Sequence, residues 1–198
     1  MTDADASLAS ASVESLFERS GALLDGHFLL KSGRHAGRYL EKFLVLQHPA
    51  IGVELCRRFA AALAPYAPTL VVGPTTGGVL LSFETARQLG GSVRAAFAEP
   101  VSGGGRSLRR GWPVSDSERV VLVDDILTTG ASLVETVEAV RAAGVEPLAA
   151  AVIVDRSTGP VDLGVPVHSL GRFEVPSWEP ADCPLCADDV PLRKPGSS

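Results

Sequence analysis

The chain has 198 residues, of which 45% are hydrophobic, 21% charged and 6% aromatic. These proportions suit one globular domain over residues 1–198, and they exclude intrinsic disorder, collagen and coiled coil as the main state. The formal net charge of −5 argues against a broad basic surface for nucleic acid, so an anionic ligand would depend on local donors.

The signals for localisation favour the cytoplasm. The N-terminus reads MTDADASLAS, which is acidic and lacks the basic start and apolar stretch of a secretory signal. No apolar run approaches the ~20 residues that a membrane helix needs, so no membrane contact is expected. Three cysteines do not make a disulfide framework, which favours a reducing compartment.

The N-terminal part of the chain gives weak structural signals. Spaced apolar residues predict a helix over residues 13–24, and the Lys- and Arg-rich stretch 27–45 indicates short strands. A clearer helix is predicted over residues 49–63, because Pro49 suits a first helical turn and apolar residues follow it at helical spacing.

From residue 69 onward, predicted strands and helices alternate. The run at 120–126 is typical of a strand that is buried on both faces, and Gly144 marks a helix end. This alternation predicts right-handed βαβ units and an α/β fold, with a central, mostly parallel sheet flanked by helices. The predicted strands cover residues 69–72, 92–98, 120–126, 148–154 and 165–170, and the predicted helices cover 78–89 and 132–143.

Two segments break the alternation. Residues 99–118 contain four glycines, two prolines and four serines. Structureless loops of this length in compact domains are usually functional lids or disordered, so we expect a mobile loop. The tail from Trp178 contains four prolines, which exclude a long helix, and we expect an extended strap on the surface.

The segment VVLVDDILTTGAS at 120–132 carries the clearest chemical signal. Asp124 and Asp125 fall at the end of the predicted strand, where open α/β sheets bind their ligands. Two adjacent carboxylates can accept hydrogen bonds from a vicinal diol or help to hold hydrated Mg²⁺. Residues 128–132 then offer hydroxyls and backbone N–H groups at a helix start, which favours a phosphate. A diol site beside a phosphate site predicts a ribose 5-phosphate ligand.

Two other interpretations of this segment have less support. The acidic pair could cap a helix structurally, or one carboxylate could belong to a Walker B motif. However, no G-x-x-x-x-G-K-[ST] precedes the pair, and no G-x-G-x-x-G follows a strand. There is no G-x-S-x-G either, so a hydrolase of that kind has no support.

At these residues the sequence resembles the type I phosphoribosyltransferases, and further motifs resemble the orotate-specific branch of that family. LLKSGR, followed by HAGRYLEK, is similar to the N-terminal hood of that branch, and VGPTTGG is similar to its pyrophosphate loop. VDR matches a strand end that contacts orotate, and the CPLC…KPGSS tail looks like that of a subgroup. The resemblance covers about residues 20–175.

The resemblance implies a fold and an activity. The fold would be the type I phosphoribosyltransferase fold, with a small N-terminal hood, a core, a mobile catalytic loop and a tail. The reaction would transfer phosphoribose from phosphoribosyl diphosphate to orotate, with Mg²⁺ bound mainly through substrate, in a homodimer. The implied bounds are about 20–45 for the hood, 46–175 for the core, 99–118 for the loop and 176–198 for the tail.

The resemblance also implies site residues. The implied catalytic residues are Asp124, Asp125, Arg109 and Arg110. The residues that would bind phosphoribosyl diphosphate are Lys31, Thr75, Thr76, Gly77, Arg106, Asp124, Asp125, Ile126, Leu127, Thr128, Thr129, Gly130, Ala131 and Ser132. The residues that would bind orotate are Lys31, Tyr39, Leu40, Thr128 and Arg156.

Two departures from the family pattern bear on these roles. Well-known members carry a lysine in the pyrophosphate loop, where this chain has Gly77. They also carry lysines and a histidine on the mobile loop, where this chain has only Arg106, Arg109 and Arg110. Arg binds phosphate bidentately but cannot act as a general acid. The loop therefore either works by charge alone or contributes less to catalysis.

The tail contains a pair of cysteines that could suggest a metal site. Cys183 and Cys186 form one C-x-x-C, but zinc needs four ligands, and Cys56 and four scattered histidines offer no evident second pair. Packing, a turn or a dimer contact is therefore expected of these cysteines.

The alternative functions are a phosphoribosyltransferase for a purine or for uracil, and a non-catalytic regulator that binds phosphoribosyl diphosphate or a nucleotide.

Overall fold

Ten strands and seven α-helices form two sheets and their covering layers within residues 3–30, 32–173 and 175–194, which this computed structural model describes. The strands are β1 Leu23–Leu29, β2 His35–Leu40, β3 Leu70–Pro74, β4 Arg94–Pro100, β5 Arg106–Ser107, β6 Val120–Leu127, β7 Ala149–Asp155, β8 Val167–Arg172, β9 Ser177–Trp178 and β10 Leu192–Arg193. The helices are α1 Asp3–Ala9, α2 Val13–Arg19, α3 Lys42–Leu46, α4 Pro49–Leu63, α5 Gly77–Leu89, α6 Ala131–Ala142 and α7 Pro184–Ala187.

The central sheet has six strands in the order β5-β4-β3-β6-β7-β8. All its pairings are parallel except that of β5 with β4. Side chains of β6 alternate between two cores: Val121 and Val123 pack with α4 and α5, whereas Leu122 packs with α6. Covering on both faces explains why β6 is almost entirely buried. The prediction of an α/β fold with a central parallel sheet is confirmed.

The predicted helix at 49–63 is confirmed at both ends, whereas the one at 13–24 is too long. Helix α2 ends at Arg19, and Gly21 follows with a φ of 68°. A positive φ is incompatible with continuing a right-handed helix. Leu23 and Leu24, whose apolar spacing suggested helix, instead begin β1.

Residues 99–118 contain more structure than the sequence predicted. Strand β4 continues to Pro100, and the chain turns back so that Arg106 and Ser107 pair with it as β5. After the hairpin, Trp112 packs edge-on against Phe97, with ring centroids 5.6 Å apart. Leu108 and Val114 also pack against the α6 side of the core. The segment is therefore anchored by the few apolar residues that it has.

A second, four-stranded sheet forms beside the core, in the order β10-β1-β2-β9. The short strands expected in the hood are β1 and β2, which pair antiparallel. The tail contributes both edges, since β9 pairs with β2 and β10 pairs with β1. The tail is thus built into this hood sheet, and the short helix α7 connects its two edges. None of the described helices has the length and apolar character of a membrane span.

Candidate active site

The carboxyl ends of β3, β6 and β7 meet the end of the hood strand β2 around an open pocket of about 510 Å³. Parallel strands place the residues that follow them at one edge of the sheet, which is why segments distant in sequence converge here. The pocket is lined by Tyr39, Leu40, Glu41, Lys42, Phe43, Pro74, Thr75, Thr76, Gly77, Arg106, Asp124, Asp125, Ile126, Thr128, Ser132 and Arg156.

Asp124 is a buried carboxylate in the C-terminal half of β6. It accepts hydrogen bonds from the Asp125 backbone N–H and from the Ser132 hydroxyl, both at 2.8 Å. Burial, and then the negative charge of Asp125, raise the pKa of Asp124 to about 6, while the Ser132 hydrogen bond acts in the opposite direction. Asp124 is therefore fastened to the start of α6, and its charge depends on pH near neutrality.

Asp125 is paired with a lysine that the sequence analysis did not single out. Lys42 Nζ lies 3.1 Å from each carboxylate oxygen of Asp125 and donates to Oδ1, which also accepts the Ile126 N–H at 2.7 Å. Oδ2 accepts no hydrogen bond from the described residues. Lys42 is one of three lysines in the chain and is the last residue of the hood motif HAGRYLEK. That rarity was a usable signal for its importance.

Gly77 occupies the place where the family pattern has a lysine, and the geometry gives a reason. A Cβ at residue 77 would lie 2.3 Å from Asp125 Oδ2, well inside contact distance. The buried carboxylate therefore uses the space that a side chain would need. The same loop also requires close backbone approach at Gly73, where a Cβ would lie 2.4 Å from the Gly78 carbonyl oxygen.

Of the three loop arginines, only Arg106 reaches the pocket. Its Nη1 donates to Thr75 Oγ1 at 3.2 Å and to the Ala98 carbonyl at 3.1 Å, so it braces the loop at Thr75. Arg109 and Arg110, which the sequence analysis assigned to catalysis, are exposed and do not line the pocket. Arg110 forms a bidentate ion pair with Glu99, at 2.9 and 2.6 Å.

The predicted phosphate-binding segment forms the start of α6. Gly130 precedes the helix with a φ of 80°, and a Cβ there would lie 2.4 Å from Val161 Cγ1. The first N–H groups of a helix have no partner within the helix and attract anions. Ile126, Thr128 and Ser132 line the pocket, whereas Leu127 is buried and its carbonyl accepts the Arg156 N–H at 2.8 Å. Thr129, Gly130 and Ala131 form the turn into the helix.

Four of the residues predicted to bind orotate line the same pocket: Tyr39, Leu40, Thr128 and Arg156. Tyr39 packs against Phe28 with ring centroids 5.7 Å apart, and its pKa is raised by burial and by Glu41, while Arg156 opposes the rise. Arg156 is half-buried, and burial lowers its pKa. Within the described residues, no carboxylate forms an ion pair with Arg156, so an anion in the pocket would meet an uncompensated cation. Lys31 lies outside the described residues.

Comparison with known proteins supports this arrangement at the level of the family. Residues 45–167 match the phosphoribosyl transferase domain. The chain belongs to that family. The orotate phosphoribosyltransferase of Pelotomaculum thermopropionicum is 48% identical over 185 residues, which are 93% of this chain and 96% of that protein. The corresponding enzyme of Thermotoga maritima is 40% identical over 185 residues, 93% of this chain and 97% of that protein.

A solved structure of the family is similar in fold. The orotate phosphoribosyltransferase of Mycobacterium tuberculosis superposes with a TM-score of 0.69 at 25% identity, covering 85% of this chain and 96% of that one. The matched domain model includes the acidic pair, the segment at 128–132 and Arg156, but it begins after Tyr39 and Lys42. The hood side of the pocket therefore lies outside the part that the family model describes.

A second group of reactive side chains lies away from this pocket. His27, His35, Cys183 and Cys186 are brought together by the hood sheet and α7, with their ligand atoms within 4.8 Å of one another. The expectation that the histidines are scattered was wrong for this pair. Sequence reasoning missed the cluster because the tail pairs with the hood across more than 150 residues of chain.

Proposed function

We propose that this chain is an orotate phosphoribosyltransferase of pyrimidine nucleotide synthesis. It would transfer phosphoribose from phosphoribosyl diphosphate to orotate and release pyrophosphate. The observation that carries the proposal is one pocket lined by the acidic pair, by Ser132 at the start of α6 and by Arg156, which has no ion-pair partner among the described residues. The relatives that carry this activity in their names match over nearly their full length, which supports the proposal further.

The chemistry fits the charges around the pocket. The bond between ribose C1 and a pyrophosphate oxygen breaks, and a bond from C1 to the orotate ring nitrogen forms as that nitrogen loses its proton. Positive charge develops on the ribose ring meanwhile, and fixed carboxylates stabilise such charge. Asp124 and Asp125 lie in the C-terminal half of β6, where they would also accept hydrogen bonds from the ribose hydroxyls.

Each end of the substrates has a matching partner in the pocket. The 5-phosphate would bind the N-terminus of α6, with Thr128 adding a hydroxyl. The orotate carboxylate would pair with the planar guanidinium of Arg156, which can bind it bidentately. The pyrophosphate would lie at residues 75–77, with Arg106 and Lys42 as its nearest described cations. Lys42 would thus supply a lysine charge that residue 77 lacks.

The donor set of the pocket also fits Mg²⁺. Asp125 Oδ2 lies 3.1 Å from Lys42 Nζ but accepts no hydrogen bond of suitable geometry from the described residues, and carboxylate oxygens are ligands that Mg²⁺ prefers. Asp125 would hold the ion together with oxygens of the substrate. A bound Mg²⁺ would supply charge neutralisation for the departing pyrophosphate.

We also propose that the protein is a cytoplasmic homodimer. Phe43, Val53, Leu80 and Phe83 are exposed on α3, α4 and α5, and we call them the apolar patch. Exposed apolar clusters of this kind mark association surfaces. The patch adjoins the pocket, because α3 begins at Lys42 and α5 begins at Gly77. A second copy of this chain is therefore the occupant that would affect the pocket directly. The three free cysteines support a reducing compartment.

The test is an assay with a panel of bases. Purified protein is mixed with Mg²⁺, phosphoribosyl diphosphate and one of orotate, uracil, hypoxanthine or adenine, and loss of free base is followed. We expect turnover with orotate alone. Asp125→Asn should lower kcat by about two orders of magnitude or more, which is about 2.7 kcal/mol of transition-state stabilisation.

The controls separate the proposal from its alternatives. Asp116→Asn removes an exposed carboxylate outside the pocket and should leave kcat unchanged. Turnover of a purine or of uracil in place of orotate would identify a different phosphoribosyltransferase. Tight binding of phosphoribosyl diphosphate without turnover of any base would instead identify a regulator.

A further inference from the structure

Four potential metal ligands meet between the hood sheet and the tail. His27 and His35 lie on the adjacent strands β1 and β2, while Cys183 precedes α7 and Cys186 lies within it. His27 Nε2 is 2.9 Å from His35 Nδ1 and 3.4 Å from Cys183 Sγ. Cys186 Sγ is 3.3 Å from His35 Nδ1 and 3.8 Å from His27 Nε2. Four donors that converge at these distances leave room for one ion between them.

The spacing matches a tetrahedral zinc site. Zn–S bonds of about 2.3 Å and Zn–N bonds of about 2.0–2.1 Å place neighbouring sulfur and nitrogen ligands about 3.5 Å apart in a tetrahedron. The sulfur–nitrogen distances given above lie on both sides of that value. The two nitrogens, at 2.9 Å, need to separate by only a few tenths of an ångström to reach the tetrahedral value of about 3.3 Å. Two thiolates and two imidazoles are a donor set that suits Zn²⁺.

The surroundings of the cluster resemble those of a structural metal site. His27 Nδ1 lies 2.8 Å from the Val190 carbonyl oxygen, to which it can donate. That hydrogen bond leaves the Nε2 lone pair directed at the cluster, as metal-ligating histidines require. His27, His35 and Cys183 are buried, whereas Cys186 lies on the exposed side of the cluster. A closed site with four protein ligands has no open position for substrate, which distinguishes structural zinc from catalytic zinc.

We propose that His27, His35, Cys183 and Cys186 bind one Zn²⁺ that fastens the tail to the hood. The tail needs such a fastening, because its backbone pairing with the hood consists of two strands of two residues each. A disulfide between the two cysteines would leave the convergence of both histidine nitrogens unexplained.

The zinc site is connected to the pocket by one short strand. His35 begins β2, and Tyr39 and Leu40, which line the pocket, end it. A ligand bond at His35 holds this strand at its far end, while α7 packs beside it: Leu185 lies within 3.8 Å of the position that a Cβ on Gly37 would occupy. Zinc therefore stabilises the hood wall of the pocket without taking part in the reaction. This consequence rests on the proposed function, whereas metal binding itself does not.

The first test measures metal content in the full chain, produced without an affinity tag and purified under reducing conditions without chelator. Elemental analysis should find about one zinc per chain. Cys183→Ser, Cys186→Ser and His27→Gln should each lose that zinc. Cys56→Ala and His48→Gln remove a cysteine and a histidine outside the cluster and should retain it. Exchange with Co²⁺ should give the intense visible bands of tetrahedral cobalt and a thiolate charge-transfer band.

The second test separates a structural metal from an incidental one. A chelator should lower the melting temperature of the wild type and of Cys56→Ala, but should not change that of a Cys183→Ser/Cys186→Ser double variant. Wild type that contains no zinc even after incubation with Zn²⁺, or an octahedral cobalt spectrum, would overturn the proposal. A Cys183–Cys186 disulfide under the reducing conditions of purification would also overturn it. Because the cobalt titration uses wild-type protein, the proposal stays testable if a variant fails to fold.

Discussion

Among single residues, Asp124 couples the stability of the protein to pH. Its carboxyl has a pKa of about 6 in the folded chain, raised from 3.8 by burial and by Asp125. Between these values the folded state holds a proton that the unfolded state has lost. The contribution of this group to stability is therefore complete below its unfolded pKa, and it is lost as pH rises through about 6.

Asp124→Asn should consequently be more thermostable than the wild type at about pH 8, and the difference should shrink as pH falls towards 4. Asn retains an oxygen acceptor for the Asp125 N–H or the Ser132 hydroxyl, while it removes the charge that burial disfavours. Melting temperatures are measured across this range without Mg²⁺ or substrates. Asp116→Asn is the control for changes of net charge. A pH-independent difference between Asp124→Asn and wild type would show that Asp124 is ionised throughout.

Arg156 should determine affinity for the base rather than for the sugar phosphate. Its guanidinium lies at the end of β7 with no ion-pair partner among the described residues, on the side of the pocket that Tyr39 lines. Arg156→Ala should raise the KM for orotate at least tenfold while changing the KM for phosphoribosyl diphosphate much less, because a charge-assisted hydrogen bond contributes about 1.5–3 kcal/mol.

The comparison for Arg156 is Arg172→Ala. Arg172 lies on the neighbouring strand β8 and outside the pocket, so its loss should leave both KM values near wild type. Steady-state kinetics with each substrate varied in turn give the two constants. Equal increases in both KM values for Arg156→Ala would place this arginine on the phosphate side or make its role purely structural.

At the scale of elements, the turn into α6 joins a backbone requirement to phosphate binding. Gly130 has a φ of 80°, and a Cβ there would lie 2.4 Å from Val161 Cγ1. Gly130→Ala should therefore shift the start of α6, whose N–H groups we assign to the 5-phosphate. We expect a lower melting temperature and a KM for phosphoribosyl diphosphate that rises severalfold.

Gly144, just after the other end of the same helix, provides a matched control. Its φ is 89°, but a Cβ there would have no heavy atom within 4 Å. Gly144→Ala therefore incurs the backbone strain of about 1–2 kcal/mol without the clash. It should lower the melting temperature and leave the KM unchanged. Combining Gly130→Ala with Val161→Ala should lower the KM for phosphoribosyl diphosphate part of the way back to the wild-type value, because the clash is removed. Identical kinetics for the two single glycine variants would separate this turn from substrate binding.

Helices and strands that are determined by their own residues could be predicted from the sequence. Pro49 and the apolar spacing after it predicted both ends of α4, and the acidic pair lies in the C-terminal half of β6, two residues before the strand ends. Where a local pattern was ambiguous, the prediction failed: Leu23 and Leu24 continue a helical spacing, but Gly21 ends the helix before them. Residues 99–118 also looked structureless, because the contact of Trp112 with Phe97 depends on tertiary packing.

Contacts between segments that are distant in the chain could not be predicted from local patterns. His27 and Cys183 are separated by 156 positions, and only the pairing of the tail with both edges of the hood brings them together. Lys42 contacts Asp125 although 83 positions separate the two residues in the chain. Family resemblance supplied most of the pocket in advance, because its motifs lie at strand ends. It could not supply these two contacts, which the resemblance did not include.

At the scale of the whole molecule, the apolar patch on α3, α4 and α5 is the surface through which we propose that two chains associate. Leu80 and Phe83 are 57% and 68% exposed on α5, which begins at the pocket.

A charge at the centre of an association surface would be desolvated without a partner, which costs several kcal/mol and dissociates a dimer. Phe83→Asp should therefore be a monomer at concentrations at which the wild type is a dimer, as measured by sedimentation velocity. It should also have reduced activity, because α5 would lose its support beside residues 75–77. Val134→Asp places the same charge at an exposed apolar position on α6, outside the apolar patch, and should remain dimeric. A wild type that sediments as a monomer at every concentration with full activity would assign the patch to a different partner.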